Sequence, residues 1–263
     1  MTPEQAIALG ALQGATEFLP VSSSGHLALA QSLIEGFSQP GVLFDVLLHV
    51  GTMIAVMIYF WKDLRDLVTA PFRRDETARL HRKMLLLLIA GSIPTGIIGL
   101  TGKHFAESLF ENVPVVAGML LITGTILYVS ERLRQGTGKT DISLGDAILT
   151  GIAQGLAIIP GISRSGSTIA TLLLRGVDGE TAARFSFLLA LPAVFGATLL
   201  SLRDLGEVAT GQLTAYAAGT GAALVIGLLS IHFLLAIIRR KRLYFFAFYC
   251  WAAGALFLTL SLV

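Results

Sequence analysis

One pattern occurs twice in this 263-residue chain, 141 residues apart, and both copies set polar residues in the middle of an apolar, membrane-type sequence. The first reads G-A-L-Q-G-A-T-E-F-L-P-V-S-S-S-G-H, Gly10 to His26; the second reads G-I-A-Q-G-L-A-I-I-P-G-I-S-R-S-G-S, Gly151 to Ser167. Without a gap, Gly10, Gln13, Gly14, Ser22, Ser24 and Gly25 fall on Gly151, Gln154, Gly155, Ser163, Ser165 and Gly166. The register persists downstream, where Phe44, Leu47, Leu48, Asp63 and Leu64 fall on Phe185, Leu188, Leu189, Asp204 and Leu205. A duplication accounts for this better than chance. The halves are chemically unequal: Glu17 faces Ile158, Ser23 faces Arg164, and His26 faces Ser167.

Hydrophobic residues make up 54% and charged residues 14%, against about 25% charged in soluble domains. Six apolar stretches, Phe44–Trp61, Met84–Thr101, Pro114–Ser130, Phe185–Leu202, Ala215–Ile238 and Tyr244–Val263, read as full spans, since a hydrocarbon core takes roughly 20 helical residues. A net charge of +2 is too small to argue for nucleic acid, and the single Cys250 excludes an intrachain disulfide framework. Glu4 stands where a leader peptide would be basic, so no cleavable leader is expected. Basic residues gather in three loops, Lys62–Lys83, Arg132–Lys139 and Arg239–Arg242, and such loops mark the cytoplasmic side.

The remaining segments, Thr2–Glu35 and Gly145–Leu174, have first limbs of about Glu4–Phe18 and Asp146–Ile159. At 1.5 Å per residue these span only about 22 Å, short of the roughly 30 Å core. Each limb ends in proline and a serine cluster, which breaks a helix. Both segments therefore read as re-entrant helix–loop–helix units. Three full spans per half make the duplication inverted. The expected fold is an all-α polytopic membrane protein with six full transmembrane helices plus two re-entrant helix–loop–helix segments. It forms a single membrane domain over 1–263, with repeats of about 1–140 and 141–263. Secondary transporters share such inverted repeats with broken helices, so a carrier is a rival reading.

Gln13 and Glu17 are spaced i, i+4 and share a helix face. A carboxylate in a membrane segment is a functional candidate, and this oxygen pair suits Mg²⁺ or Ca²⁺. In Ser22-Ser23-Ser24-Gly25-His26, the serines are candidates for helix caps or for chemistry. His26 is a candidate acid, base or nucleophile. The stretch Pro160 to Thr168 sets a glycine-flanked turn at a helix N-terminus, where N–H groups and the helix dipole favour an anion. Ser163, Ser165, Gly166 and Thr168, with Ser24 opposite, supply further donors, and Arg164 offers a forked donor set suited to phosphate. Asp45 and His49 imitate a metal pair but read as a cap and its neighbour. Glu180 and Arg184 read as an i, i+4 ion pair, and His232 as a packing residue.

At these residues the chain resembles the undecaprenyl-pyrophosphate phosphatase family, the bacitracin-resistance type of bacterial membrane enzyme. Two signatures carry the resemblance: (E/Q)-x-x-x-E as Gln13 to Glu17, and P-G-x-S-R-S-x-x-T as Pro160 to Thr168. The stretches Pro20–His26 and Phe185–Pro192 also fit. The resemblance implies hydrolysis of a C55 polyprenyl pyrophosphate to its monophosphate, recycling the lipid carrier of cell-wall synthesis. It also implies a divalent metal and a site on the periplasmic side of the bacterial inner membrane. Beside it, the residues suggest Glu17 and Gln13 as metal ligands and Ser163, Arg164, Ser165, Gly166, Thr168 and Ser24 as phosphate ligands. Ser23, then Ser22 or Ser163, His26, or a His26-activated water would attack, with Arg164 and Thr168 assisting. Membrane lipids, and a second copy in a homodimer, complete the expected partners.

Overall fold

Helix α1 (Pro3–Phe18) opens with a reciprocal cap: Thr2 Oγ1 accepts from Gln5 N, and Gln5 Oε1 accepts from Thr2 N. It stops because Leu19 precedes Pro20 and turns extended (φ −65°, ψ 142°), as a residue before proline disfavours helix. Helix α2 (Ser23–Ser32) returns, capped by Ser22. The computed structural model describes residues 1–34, 43–110, 112–134, 138–201, 212–240 and 242–261. Glu35, Leu202, Asp204, Leu205, Lys241 and Val263, which figure in the broken segments, expected spans, basic loops and repeat register, lie outside the described residues.

Next come α3 (Leu43–Tyr59) and α4 (Trp61–Thr69), with a single 3₁₀ turn at Ala70–Phe72. Then follow α5 (Glu76–Leu109) and α6 (Val113–Arg132). The second broken segment forms α7 (Leu144–Leu156), capped reciprocally by Ser143 and Asp146, and α8 (Arg164–Leu174), capped by Ser163. The chain closes with α9 (Gly179–Ser201), α10 (Leu213–Arg239) and α11 (Tyr244–Leu260). Among the described residues the fold is all helical apart from one isolated bridge between Lys139 and Val177.

Helices α5, α6, α9 and α10 are long and apolar enough to cross a membrane, and α3 with α4 makes a fifth candidate if the pair is one span bent by 76°. Helix α11 is apolar over 17 residues. The chain is a multi-pass membrane protein. Helix α5 outruns the expected Met84–Thr101 because polar, helix-favouring flanks extend it over 34 residues, about 51 Å at 1.5 Å per residue.

Each broken segment packs across the chain: α1 runs along α10, and α7 along α5. Both crossings are close because glycine meets glycine. A Cβ on Gly10 would stand 2.1 Å from the Gly219 carbonyl oxygen, and one on Gly151 would stand 2.0 Å from that of Gly91. Helix α6 packs on α11, and α3 on α9 and α10. Between them lies a core in which the Phe18 and Phe187 rings meet edge to face at 5.5 Å.

The expected Glu180–Arg184 pair gives way to longer-range partners. Glu180 accepts from both Nε and Nη2 of Arg239, and Arg184 pairs with Asp63. Neighbouring elements offer these side chains better-placed groups than their own helix does.

Candidate active site

The two breaks meet. Ser165 Oγ donates to the Leu19 carbonyl at 3.1 Å. Gly25 lies so near Gly161 that an added Cβ would stand 3.1 Å from its Cα. Gly161 itself has φ +93°, open to glycine at little strain. Thr123 of α6 fixes this loop from behind, donating to the Gly161 carbonyl and accepting from Ser163 N.

Glu17 is the centre. Its side chain is 6% exposed. Oε1 accepts from Arg164 Nη2 at 2.6 Å; Oε2 accepts from Ser23 Oγ at 2.5 Å and from Gln13 Nε2 at 2.9 Å. The two halves thus contribute a carboxylate and a guanidinium to one ion pair. A narrow cavity between α3 and α9, lined by Thr52, Met53, Val56, Ala190, Leu191 and Val194, opens on Glu17 and Arg164.

The serines divide by task. Ser22 Oγ accepts from Gly25 N, and Ser163 Oγ accepts from Gly166 N, so both act as caps. Ser22 holds φ +67°, a left-handed conformation that strains any residue with a Cβ and gathers at functional sites. Ser24 and Ser165 each lie 3.3 Å from the neighbouring cap hydroxyl. Ser23 alone of the five puts its hydroxyl on the carboxylate.

At the start of α8, the cap satisfies Gly166 N. Among the described residues, the N–H groups of Arg164 and Ser165 meet no acceptor, as expected of a first helical turn. Arg164 Nη1 is buried without a partner. One guanidinium nitrogen and two backbone N–H groups therefore stand ready for an anion. Thr168 is set apart from them. Its hydroxyl donates to the Arg164 and Ser165 carbonyls and meets Ser186 Oγ at 2.5 Å, joining α8 to α9.

His26 is held elsewhere. Its Nδ1 donates to the Ser22 carbonyl at 2.8 Å, and its Nε2 accepts from the Tyr249 hydroxyl at 2.7 Å with the rings stacked. Both ring nitrogens are engaged, and neither contacts Ser23 or Glu17. Tyr249 carries no local signal of this role, since nothing in the sequence ties two residues 223 positions apart.

The donor set suits a hard cation in part. Glu17 offers an anionic oxygen, and Gln13 Oε1 beside it is buried without a hydrogen-bond partner, an orphan acceptor of the sort a cation satisfies. Among the described residues no group of three or more His, Cys, Asp or Glu side chains gathers. An ion here would draw its remaining ligands from a bound phosphate and water.

A family model described as "Bacitracin resistance protein BacA" matches residues 6–256. A curated relative named "Undecaprenyl-diphosphatase", from Syntrophotalea carbinolica, is 56% identical over 257 residues, covering 97% of this chain and 98% of the relative. One of the same name from Halothermothrix orenii is 45% identical over 258 residues, with 97% and 96% covered. Another, from Desulforapulum autotrophicum, is 42% identical over 263 residues, with 95% of each covered.

Proposed function

The chain belongs to the bacitracin resistance protein BacA family, and we propose that it is a membrane undecaprenyl-diphosphatase, hydrolysing undecaprenyl diphosphate to undecaprenyl phosphate and inorganic phosphate. The observation that carries the chemistry is the Ser23–Glu17–Arg164 chain of contacts across the two loops. Ser23 Oγ gives its proton to Glu17 as it attacks the terminal phosphorus. The bond from that phosphorus to the bridging oxygen breaks, and undecaprenyl phosphate leaves. Water then cleaves the phosphoserine, releasing phosphate and returning the Ser23 proton. Positioning and charge dominate phosphoryl transfer, so Arg164, swinging its guanidinium from Glu17 to the phosphoryl oxygens, does much of the work with the N–H groups at the α8 start. Glu17 and Gln13 would hold a divalent ion, Mg²⁺ or Ca²⁺, which would neutralise pyrophosphate charge.

The architecture we read around this site is the inverted repeat. The swap of α1 on α10 for α7 on α5, with paired glycine crossings, supports it. One membrane domain then holds two repeats, about 1–140 and 141–263. Its basic loops lie inside and its site opens to the outer side of the bacterial inner membrane, as the loop charges favour.

Phosphate release by purified protein in detergent tests the assignment. Ser23→Ala and Glu17→Ala are expected to lose at least about 10²-fold in kcat/KM, as for removal of a positioned acid–base partner, with thermal melts near the parent. Ser22→Ala is expected to act mainly through stability, by about 1 kcal/mol for a lost cap. A Ser23→Ala enzyme with parental turnover would remove Ser23 as nucleophile.

A further inference from the structure

Four atoms around Glu17 leave one arrangement unexplained by the hydrolytic steps above. His49 Nδ1 lies 2.8 Å from the Asp45 carbonyl oxygen, and a carbonyl only accepts, so Nδ1 carries the hydrogen. In the neutral ring Nε2 then keeps its lone pair, and that atom stands 3.8 Å from Glu17 Oε2. The separation is too long for a hydrogen bond, and both atoms are electron donors. A cation held by one of these atoms would have the other within reach. Gln13 Oε1, one helical turn before Glu17, is buried without a partner and supplies a third donor. The His49 side chain is 34% exposed, so its free nitrogen is reachable. A ring with one N–H on a backbone carbonyl and the other nitrogen free is the usual state of a metal-binding histidine.

The second half of the chain offers an internal comparison. The 141-residue shift carries Gln13, Glu17 and His49 onto Gln154, Ile158 and Ala190. Carboxylate and imidazole are missing together there. Gln154 gives its amide nitrogen to Thr95 Oγ1 and the Leu189 carbonyl, and its Oε1, like that of Gln13, is buried without a partner, so the halves differ in the carboxylate and the imidazole.

We propose that His49 Nε2 is a ligand of the divalent ion, completing with Glu17 and Gln13 Oε1 a mixed nitrogen–oxygen donor set. This rests on the cation reading of the site given above. A nitrogen ligand shifts that reading: Ca²⁺ and Mg²⁺ take oxygen ligands, whereas imidazole suits first-row transition ions. A transition ion is therefore favoured over Mg²⁺ and Ca²⁺, and Mn²⁺ serves as its paramagnetic probe.

The test binds Mn²⁺ to the full-length protein in detergent and reads nitrogen modulation of its electron spin echo. The parent is expected to show histidine-nitrogen modulation that changes on ¹⁵N-histidine labelling, a result independent of any variant's folding. His49→Gln is expected to lose the modulation and to bind Mn²⁺ about 10–100-fold more weakly, a loss seen even when a ligand's supporting partner is removed. His26→Gln is expected to keep the modulation. Absence of nitrogen modulation in the parent, or its persistence in His49→Gln, overturns His49 as a ligand. If Glu17→Gln still abolishes Mn²⁺ binding in that case, the cation site at Glu17 stands without His49. Parental Mn²⁺ affinity in Glu17→Gln, or no Mn²⁺ binding by the parent, overturns the cation reading and this inference with it.

Discussion

Arg164 shows what a residue's local sequence can and cannot announce. Its place in a glycine-flanked serine loop at a helix start was enough to suggest an anion site, because those N–H groups follow from backbone geometry alone. Its partner was not readable, since Glu17 lies 147 residues away and the pair forms only when two loops meet. His49 shows the converse. Its i, i+4 spacing to Asp45 imitates a metal pair, with Asp45 read as a helix cap; the ring bonds the Asp45 backbone, and its other nitrogen faces Glu17. Arg164→Lys separates catalysis from simple charge. Lysine keeps the cation and still reaches for Glu17, but it lacks the fork that holds one oxygen while a second nitrogen waits for phosphate. Loss of a preorganised donor at developing charge costs about 10²–10³ in rate, roughly 3–4 kcal/mol. Phosphate release should fall by that factor with the melting temperature little changed. A variant within about threefold of parental kcat/KM, a deficit of about 0.7 kcal/mol, would leave Arg164 a structural ion pair.

At the scale of elements, the broken limbs were legible because length and punctuation agree. Each limb is too short to span, and each meets a proline soon after its last helical residue, Pro20 two past Phe18 and Pro160 four past Leu156. The 76° break between α3 and α4 was not, since the apolar run ends at Trp61 with no proline or glycine to mark a bend. Nor did the sequence reveal which helix each broken limb would meet. Glycines along α1 and α7 signal close approach without naming the partner, and only the fold sets Gly10 on Gly219 and Gly151 on Gly91. Gly151→Ala should therefore force α7 off α5, because its Cβ would meet backbone that cannot swing aside. Overpacking of this kind costs about 1–3 kcal/mol or more. Gly96→Ala, on the same helix as Gly91 but with open space around it, should be neutral or slightly stabilising, since alanine favours helix by up to about 1 kcal/mol. Thermal melts of the two variants in one detergent decide the matter. Equal melting temperatures would mean that the α5–α7 crossing yields freely and does not hold the second loop in place.

For the whole molecule, the repeat in the sequence fixes that two halves are alike but not how they interlock. A duplicated chain can set its halves side by side, each closed on itself. Here each broken segment lies along the other half's long helix, α1 on α10 and α7 on α5. One ion pair can then be built from Glu17 of the first half and Arg164 of the second. That interlocking makes sidedness a property of the whole chain, because the two loops meet in one site. Helix α5 offers the cleanest reading of it. Arg74 precedes its start, among basic residues, and His104 lies near its far end with a 95% exposed side chain. Positive charge near a span stays on the cytoplasmic side, so the proposed orientation puts Arg74 inside and His104 outside. In a Cys250→Ser background, which removes the single native thiol, a cysteine at 104 should react with an impermeant maleimide in intact cells. A cysteine at 74 should react only after the membrane is opened. Labelling of both positions from one side would show that α5 does not cross. Reversed labelling would turn the site toward the cytoplasm and place its lipid diphosphate in the inner leaflet.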